Sequence, residues 1–267
     1  MIDPTLEGQI RAAQAYEALF VPALFGQWAA KVADAAHIQS GQRVLDIACG
    51  TGVLARGVAS GMKSSGSVFG IDPNPGMIAV ARQLAPGIEW REGVAESLPY
   101  ADASFDAVVS QFGLMFFVDR REALREAMRV LVSGGHLVIA VWDSLETMPA
   151  YESEVALLEN TVGRRAADAL RAPFVLGHRE GLLALAADAG VPSARVTTHR
   201  GTAQFPSIRA LVEADLRGWL PLMGISLNED KIRQVLEAAE RSLIAYRSAD
   251  GRATFDLSVH FLEARKA

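Results

Sequence analysis

Apolar positions along this chain follow two spacings, and the spacing changes from segment to segment. Residues 44–47, 68–71, 88–92, 107–110 and 136–142 are short runs rich in branched residues and bounded by turn formers, as buried strands are. Between them the apolar residues recur every three or four positions. Leu54 and Val58 share one side, as do Leu124, Met128 and Leu131, which predicts helices over 53–59, 76–84 and 120–131. Upstream, Ile10, Ala13, Tyr16 and Phe20 fall at helical spacing and Pro22 can open a second helix, so 5–19 and 22–36 read as helical. Downstream, 151–170 and 179–189 read as helices and 194–205 as a strand. Helices follow over 207–220 and 228–247. Asn228 is placed to cap the second, with Glu229 and Asp230 in its first turn. In the last strand, 254–263, Phe255, Leu257, Val259 and Phe261 alternate with Asp256, Ser258 and His260.

Strands alternating with helices predict a doubly wound α/β fold. The expectation is a Rossmann-like, mostly parallel seven-stranded sheet with a late antiparallel strand, N-terminal helices over 1–40 and a helical cap over 207–247. The cap would be inserted in a sheet domain made of 41–206 and 248–267.

The chemistry concentrates at the first strand. Asp46 lies inside it, and Gly50 and Gly52 form a tight turn after Ala48 and Cys49. Glycine lets backbone approach a ligand closely and accepts positive φ. At the end of the second strand stands Asp72, where an acid can accept both hydroxyls of a ribose, so the unit reads as a nucleoside-binding βαβ. The same glycines and acid also fit a nicotinamide dinucleotide, and Asp72 could instead cap the helix that follows Pro73. Asp46 weighs against the dinucleotide, because that fingerprint wants an apolar residue there. A buried carboxylate is also costly unless it meets a donor or a cation.

Over 41–142 the chain resembles the class I S-adenosylmethionine-dependent methyltransferases, in particular the small-molecule group that includes the ubiquinone/menaquinone-type enzymes. VLDIACGTG, FGIDPNPGMIAVAR, REGVAESLPYADASFDAVVSQFGLMFF and RVLVSGGHLVIAVWD match their successive motifs in order and spacing. The resemblance implies S-adenosylmethionine as cofactor, with Asp46, Ala48, Gly50, Asp72, Pro73 and Met77 around its nucleoside. Similar enzymes often have an aspartate where this chain has Val94, so adenine recognition would rest on backbone near Val94 and Ala95, or on Glu96. Glu96 serves equally as a surface charge. Gln111 would face the methionine part. N-terminal helices often cover the cofactor in similar enzymes, which makes Tyr16 a lid candidate beside its simpler reading as sheet packing. Phe20, Phe112, Met115 and Phe116 are candidate walls of the acceptor site, with Ile208, Leu211, Val212, Trp219 and Leu222 of the cap, and His178 is the first base to test.

Composition narrows the partners. The net charge is −5 and no lysine- or arginine-rich block appears, which argues against nucleic acid. One cysteine makes no internal disulfide and no zinc cluster, so a reducing cytoplasm is expected. The five histidines have no ligand spacing, so no metal is expected. Residues 1–4 show no secretory signal, and no apolar run is long enough to span a bilayer. The expected function is methyl transfer to O, C or N of a small, mostly apolar molecule by a monomer or homodimer. An NAD(P)-dependent oxidoreductase and a non-catalytic S-adenosylmethionine binder are the alternatives.

Overall fold

In the computed structural model, which describes residues 5–62 and 65–267, the chain opens with helix α1 (Leu6–Phe20). The Thr5 hydroxyl caps it by accepting from the Gly8 N–H at 3.2 Å. The sequence reading of residues 1–4, and part of the loop between the first helix and second strand of the βαβ unit, lie outside the described residues.

The helix expected from Pro22 onward is not one helix. A π turn over Val21–Phe25 and a 3₁₀ turn over Gly26–Trp28 precede α2 (Ala29–Ala35). Pro22 has no N–H to give to the carbonyl four residues back, so the ladder slips and Gly26 donates to Val21 five residues away.

The sheet region follows the predicted alternation. It runs β1 (Arg43–Ile47), α3 (Val53–Gly61), β2 (Ser67–Asp72), α4 (Pro75–Leu84), β3 (Glu89–Glu92), β4 (Phe105–Gln111), α5 (Arg120–Val130) and β5 (Leu131–Trp142). Strand β5 begins five residues earlier than expected. Leu131 pairs with Phe105 before Gly134, at φ +79°, bends the strand back into register with β4.

Three helices come next: α6 (Pro149–Thr161), α7 (Arg164–Arg171) and α8 (Arg179–Asp188). The first two were read as a single helix. Gly163 separates them at φ +118°, a backbone that side chains other than glycine rarely adopt. Strand β6 (Arg195–Phe205) then leads to α9 (Ile208–Ala214), a second π turn over Asp215–Trp219, α10 (Leu220–Leu222) and α11 (Glu229–Ser242), before β7 (Ala253–Arg265). The Asn228 side chain does cap α11, accepting from the Lys231 N–H at 2.8 Å.

Spatially the strands run β3-β2-β1-β4-β5-β7-β6. All are parallel except β7, which runs antiparallel to β5 and to β6. The strand order reverses between β1 and β4, and such a switch point opens a crevice at the carboxyl ends of the strands. Helix α1 lies across α4 so closely that a Cβ on Gly76 would stand 2.4 Å from the Gln9 carbonyl carbon. Helix α11 packs on α6 and α9.

Candidate active site

The carboxyl ends of β1 and β4 carry unusual backbone. Ala48 (φ +56°), Gly50 (φ +54°) and Gly52 (φ +87°) bend the chain after β1, and Phe112 (φ +59°) does so after β4. Ala48 and Phe112 are not glycine, so each costs of order 1–3 kcal/mol, a cost that clusters at functional sites. The two bends touch: a Cβ on Gly113 would lie 2.6 Å from that of Ala48.

Two carboxylates hold this turn. Asp72 Oδ2 accepts from the Gly50 N–H and Oδ1 from the Asn74 N–H, both at 2.9 Å. Asn74, not Asp72, caps α4, accepting from the Gly76 and Met77 N–H groups. Asp46 is 1% exposed, and its Oδ2 accepts from the Ala55 N–H at 3.0 Å in the first turn of α3. Its Oδ1 has no donor among the described residues. Burial pushes both carboxyl groups above the usual carboxylate range, against the backbone donors that stabilise their charge.

Above the turn lies a cavity of about 470 Å³. Of the residues predicted for the cofactor, Tyr16, Asp46, Ala48, Gly50, Asp72, Pro73, Met77 and Gln111 line it; of those predicted for the acceptor, Phe20 and Phe112 do. Others lie outside the lining. Val94 is exposed and Ala95 packs into the core. The Glu96 carboxylate accepts from the Val118 and Asp119 N–H groups, which joins two loops. Met115 is buried outside it, while Phe116, expected beside it, lines the cavity together with Phe117. His178 is exposed at the start of α8.

An aromatic wall completes the site. Tyr16 stacks on Phe25 at 5.3 Å between ring centroids, Phe25 meets Phe112 at 5.5 Å, and Phe112 stacks on Trp142 at 4.0 Å. Tyr151 and Phe174 extend it, 5.4 Å apart. Burial, reinforced by Asp72, Glu17 and Asp46, raises the Tyr16 phenol, which stays neutral. Trp219 and Leu222, expected in the wall, line the cavity, whereas Ile208, Leu211 and Val212 do not. Sequence reasoning did not single out Trp142, Tyr151, Phe174 or Asp215 in this role, and of these only Trp142 carried a signal, its place at the carboxyl end of a strand.

Glu17 was also missed. Its carboxylate accepts from the Thr51 hydroxyl at 2.5 Å and from the Arg56 guanidinium at 2.6 Å, and Arg56 also donates to the Thr51 carbonyl. Helix α1 is thereby clasped to the glycine turn. Gln111 donates to the Phe25 carbonyl at 3.1 Å, while its own buried Oε1 has no donor among the described residues. Among the described residues the lining contains three carboxyl groups, Asp46, Asp72 and Asp215, and no lysine, arginine or histidine.

Residues 45–139 match the family model described as a methyltransferase domain. This segment is a class I methyltransferase domain, similar to the ubiquinone/menaquinone group. Demethylmenaquinone methyltransferase of Paenarthrobacter aurescens is 41% identical over 114 residues, 43% of this chain and 44% of that protein. The ubiquinone/menaquinone biosynthesis C-methyltransferase of Cronobacter sakazakii is 34% identical over 118 residues, 42% of this chain and 47% of that protein. The matched stretch thus spans less than half the length of either relative. Among solved structures, the YcgJ protein of Bacillus subtilis superposes with a TM-score of 0.59 at 19% identity, covering 90% of this chain and 98% of that one. Phosphoethanolamine N-methyltransferase 2 of Haemonchus contortus, solved with S-adenosylmethionine, gives 0.60 at 17% identity over 98% of this chain and 57% of that one. The fold is therefore that of these proteins.

Proposed function

We propose that the chain binds S-adenosylmethionine at the carboxyl ends of β1, β2 and β4 and transfers its methyl group to a small, mostly apolar molecule. The observation that carries this reading is the charge of the lining. Asp46 and Asp72 beside the glycine turn, with no cationic side chain in the lining among the described residues, suit a ligand that brings a sulfonium and an ammonium. A nicotinamide dinucleotide would bring a pyrophosphate to the same place, with nothing to neutralise it.

In this reading Asp72 holds the ribose hydroxyls, Ala48 and Gly50 let the backbone approach, and Pro73 and Met77 flank the adenine. The free Oε1 of Gln111 and the free Oδ1 of Asp46 accept from the cofactor's amino group or face its positive charge. A sulfonium methyl is already activated, so the protein's work is alignment and exclusion of water. Helix α1, clasped to the turn, is the lid, and the 207–247 insert is the cap of the acceptor site.

The relatives named for quinone methylation point to a flat ring as acceptor, which would pack against the wall of Phe25, Phe112 and Trp142; the methylated atom is O, C or N. Among the described residues no helix is long and apolar enough to cross a membrane. The net charge and the single buried cysteine fit a cytoplasmic monomer or homodimer acting without nucleic acid.

Calorimetry with S-adenosylmethionine and with NAD⁺ tests the cofactor. Heat with the first alone is expected, and heat with the dinucleotide alone would overturn the reading. Turnover is then followed with a labelled methyl donor over phenols, quinols and lipids. Binding without turnover on any of them would leave a non-catalytic binder.

A further inference from the structure

One wall of the cavity carries an acid pair that cofactor binding does not use. Glu154, on α6, is 0% exposed, and Asp215, the first residue of the second π turn, is 3% exposed and lines the cavity. Each carboxyl group lies close enough to raise the other's hold on its proton or to share one with it. Neither has an ion-pair partner among the described residues, and both Glu154 oxygens and Asp215 Oδ2 are buried without a donor. Two ionised carboxylates cannot sit side by side in apolar surroundings, so a proton held between them supplies the missing donor. Burial raises both groups, Asp215 to about 8. As a packing device the pair returns nothing, because apolar residues of similar volume fill such a position at lower cost. Tyr151, one turn before Glu154 on the same face of α6, also lines the cavity, and the α-helical ladder opens into its π form at Asp215 itself.

We propose that Asp215, positioned by Glu154, is the proton acceptor for a methyl acceptor bearing an acidic hydroxyl: a phenol, a quinol or an enol. The proposal rests on the methyl-transfer reading above. The acceptor's oxygen, or the ring carbon it activates, forms a bond to the methyl carbon as the carbon–sulfur bond breaks. The bonding pair stays on sulfur, which becomes the neutral thioether. The proton released goes to the Asp215 carboxylate and leaves with product exchange. A neutral hydroxyl enters the aromatic wall without the desolvation cost of a cation, and its nucleophilicity depends on losing the proton that Asp215 can take.

The ionisable groups facing Asp215 are Glu154 and Tyr151, both from α6. Tyr16 and Glu17 of α1 face Asp72, Asp46 and Arg56 instead. Arg217, on the π turn, is engaged by Glu213 of α9 and Glu229 of α11.

The test measures binding of 2-naphthol and of 2-methoxynaphthalene, its twin without the hydroxyl proton, to the protein carrying S-adenosylhomocysteine. The wild type should prefer 2-naphthol at least about tenfold. Asp215→Leu should lose that preference while keeping its affinity for S-adenosylhomocysteine and a normal thermal transition. Glu154→Gln should keep part of the preference and shift the pH at which it changes, which a purely structural residue would not do. A wild type without preference, or a preference unchanged in Asp215→Leu, overturns the proposal while S-adenosylhomocysteine still binds. A wild type that binds neither S-adenosylmethionine nor S-adenosylhomocysteine removes the methyl-transfer reading, and this proposal with it.

Discussion

Asp72 does two tasks with one carboxylate, joining the glycine turn to the entry of α4 and facing the cavity. Asp72→Ala should therefore weaken S-adenosylmethionine binding at least about tenfold by calorimetry, since hydrogen bonds to a charged acceptor are worth about 1.5–3 kcal/mol each. Some thermal stability should go with it, because two backbone donors lose their partner. The carboxyl is raised above its ordinary value, so affinity should already fall as the pH drops through that raised value, where protonation removes the charged acceptor. Gly50 gives a cleaner steric test. A Cβ there meets nothing within 4 Å, so the Gly50→Val side chain would project into the cavity at a φ of +54° that valine resists. Cofactor binding should vanish in that variant, and normal binding would mean that no ligand occupies the turn. Both residues were legible in the sequence because their roles are local. A strand-end acid and a turn glycine declare themselves within a few positions. The Asn74 cap was less distinct, since Asp72 and Asn74 are chemically similar caps two residues apart and only the geometry separates them.

At the scale of elements, α1 is held to the turn by Glu17, Thr51 and Arg56. Each partner of the Glu17–Arg56 pair keeps 23% of its side chain exposed, so its contribution to global stability is small, about 1 kcal/mol or less. Arg56→Ala should lower the melting temperature only slightly. Its larger effect should be faster hydrogen exchange across α1 and faster release of the cofactor. Exchange in α1 as slow as in the wild type would mean that its packing on α4 alone holds the lid. The sequence identified both halves of this arrangement as elements without showing that they meet, since an i, i+39 salt bridge leaves no periodic trace. The helix break at Gly163 was likewise overrun, because the apolar spacing on either side of it continued and outweighed the glycine in the reading. Pro22 was placed correctly as a discontinuity, but the π slip that follows it leaves no periodic trace.

For the whole molecule, the buried acids set the response to pH. Asp46, Asp215 and Glu154 all hold their protons more tightly folded than unfolded. Such groups contribute stability that is fully present below the unfolded carboxylate values, near pH 4, and is lost as the pH rises through the folded ones, for Asp215 to about 8. The unliganded protein should therefore melt at progressively lower temperature between about pH 5 and pH 8. Asp215→Leu should flatten that decline. Bound S-adenosylmethionine places positive charge near Asp46 and Asp72, so the rise in melting temperature that it produces should grow with pH. A ligand-induced shift independent of pH would contradict this picture of the acids.

By itself the sequence determined the seven strands, their alternation with helices and the glycine turn with its two acids. These depend on side-chain periodicity, on capping and on the φ values a residue can reach, all of which act over a few neighbouring positions. The tertiary structure alone decided what faces the turn. Tyr151, Phe174 and Asp215 come from three separate helical segments, and each would serve equally well in an ordinary helix or core. Only the packing of α6, the 3₁₀ turn after α7 and the π turn at Asp215 against one another brings them to one cavity. Burial there, rather than anything in the local sequence, turns Asp215 and Glu154 from surface-type carboxylates into a pair that shares a proton.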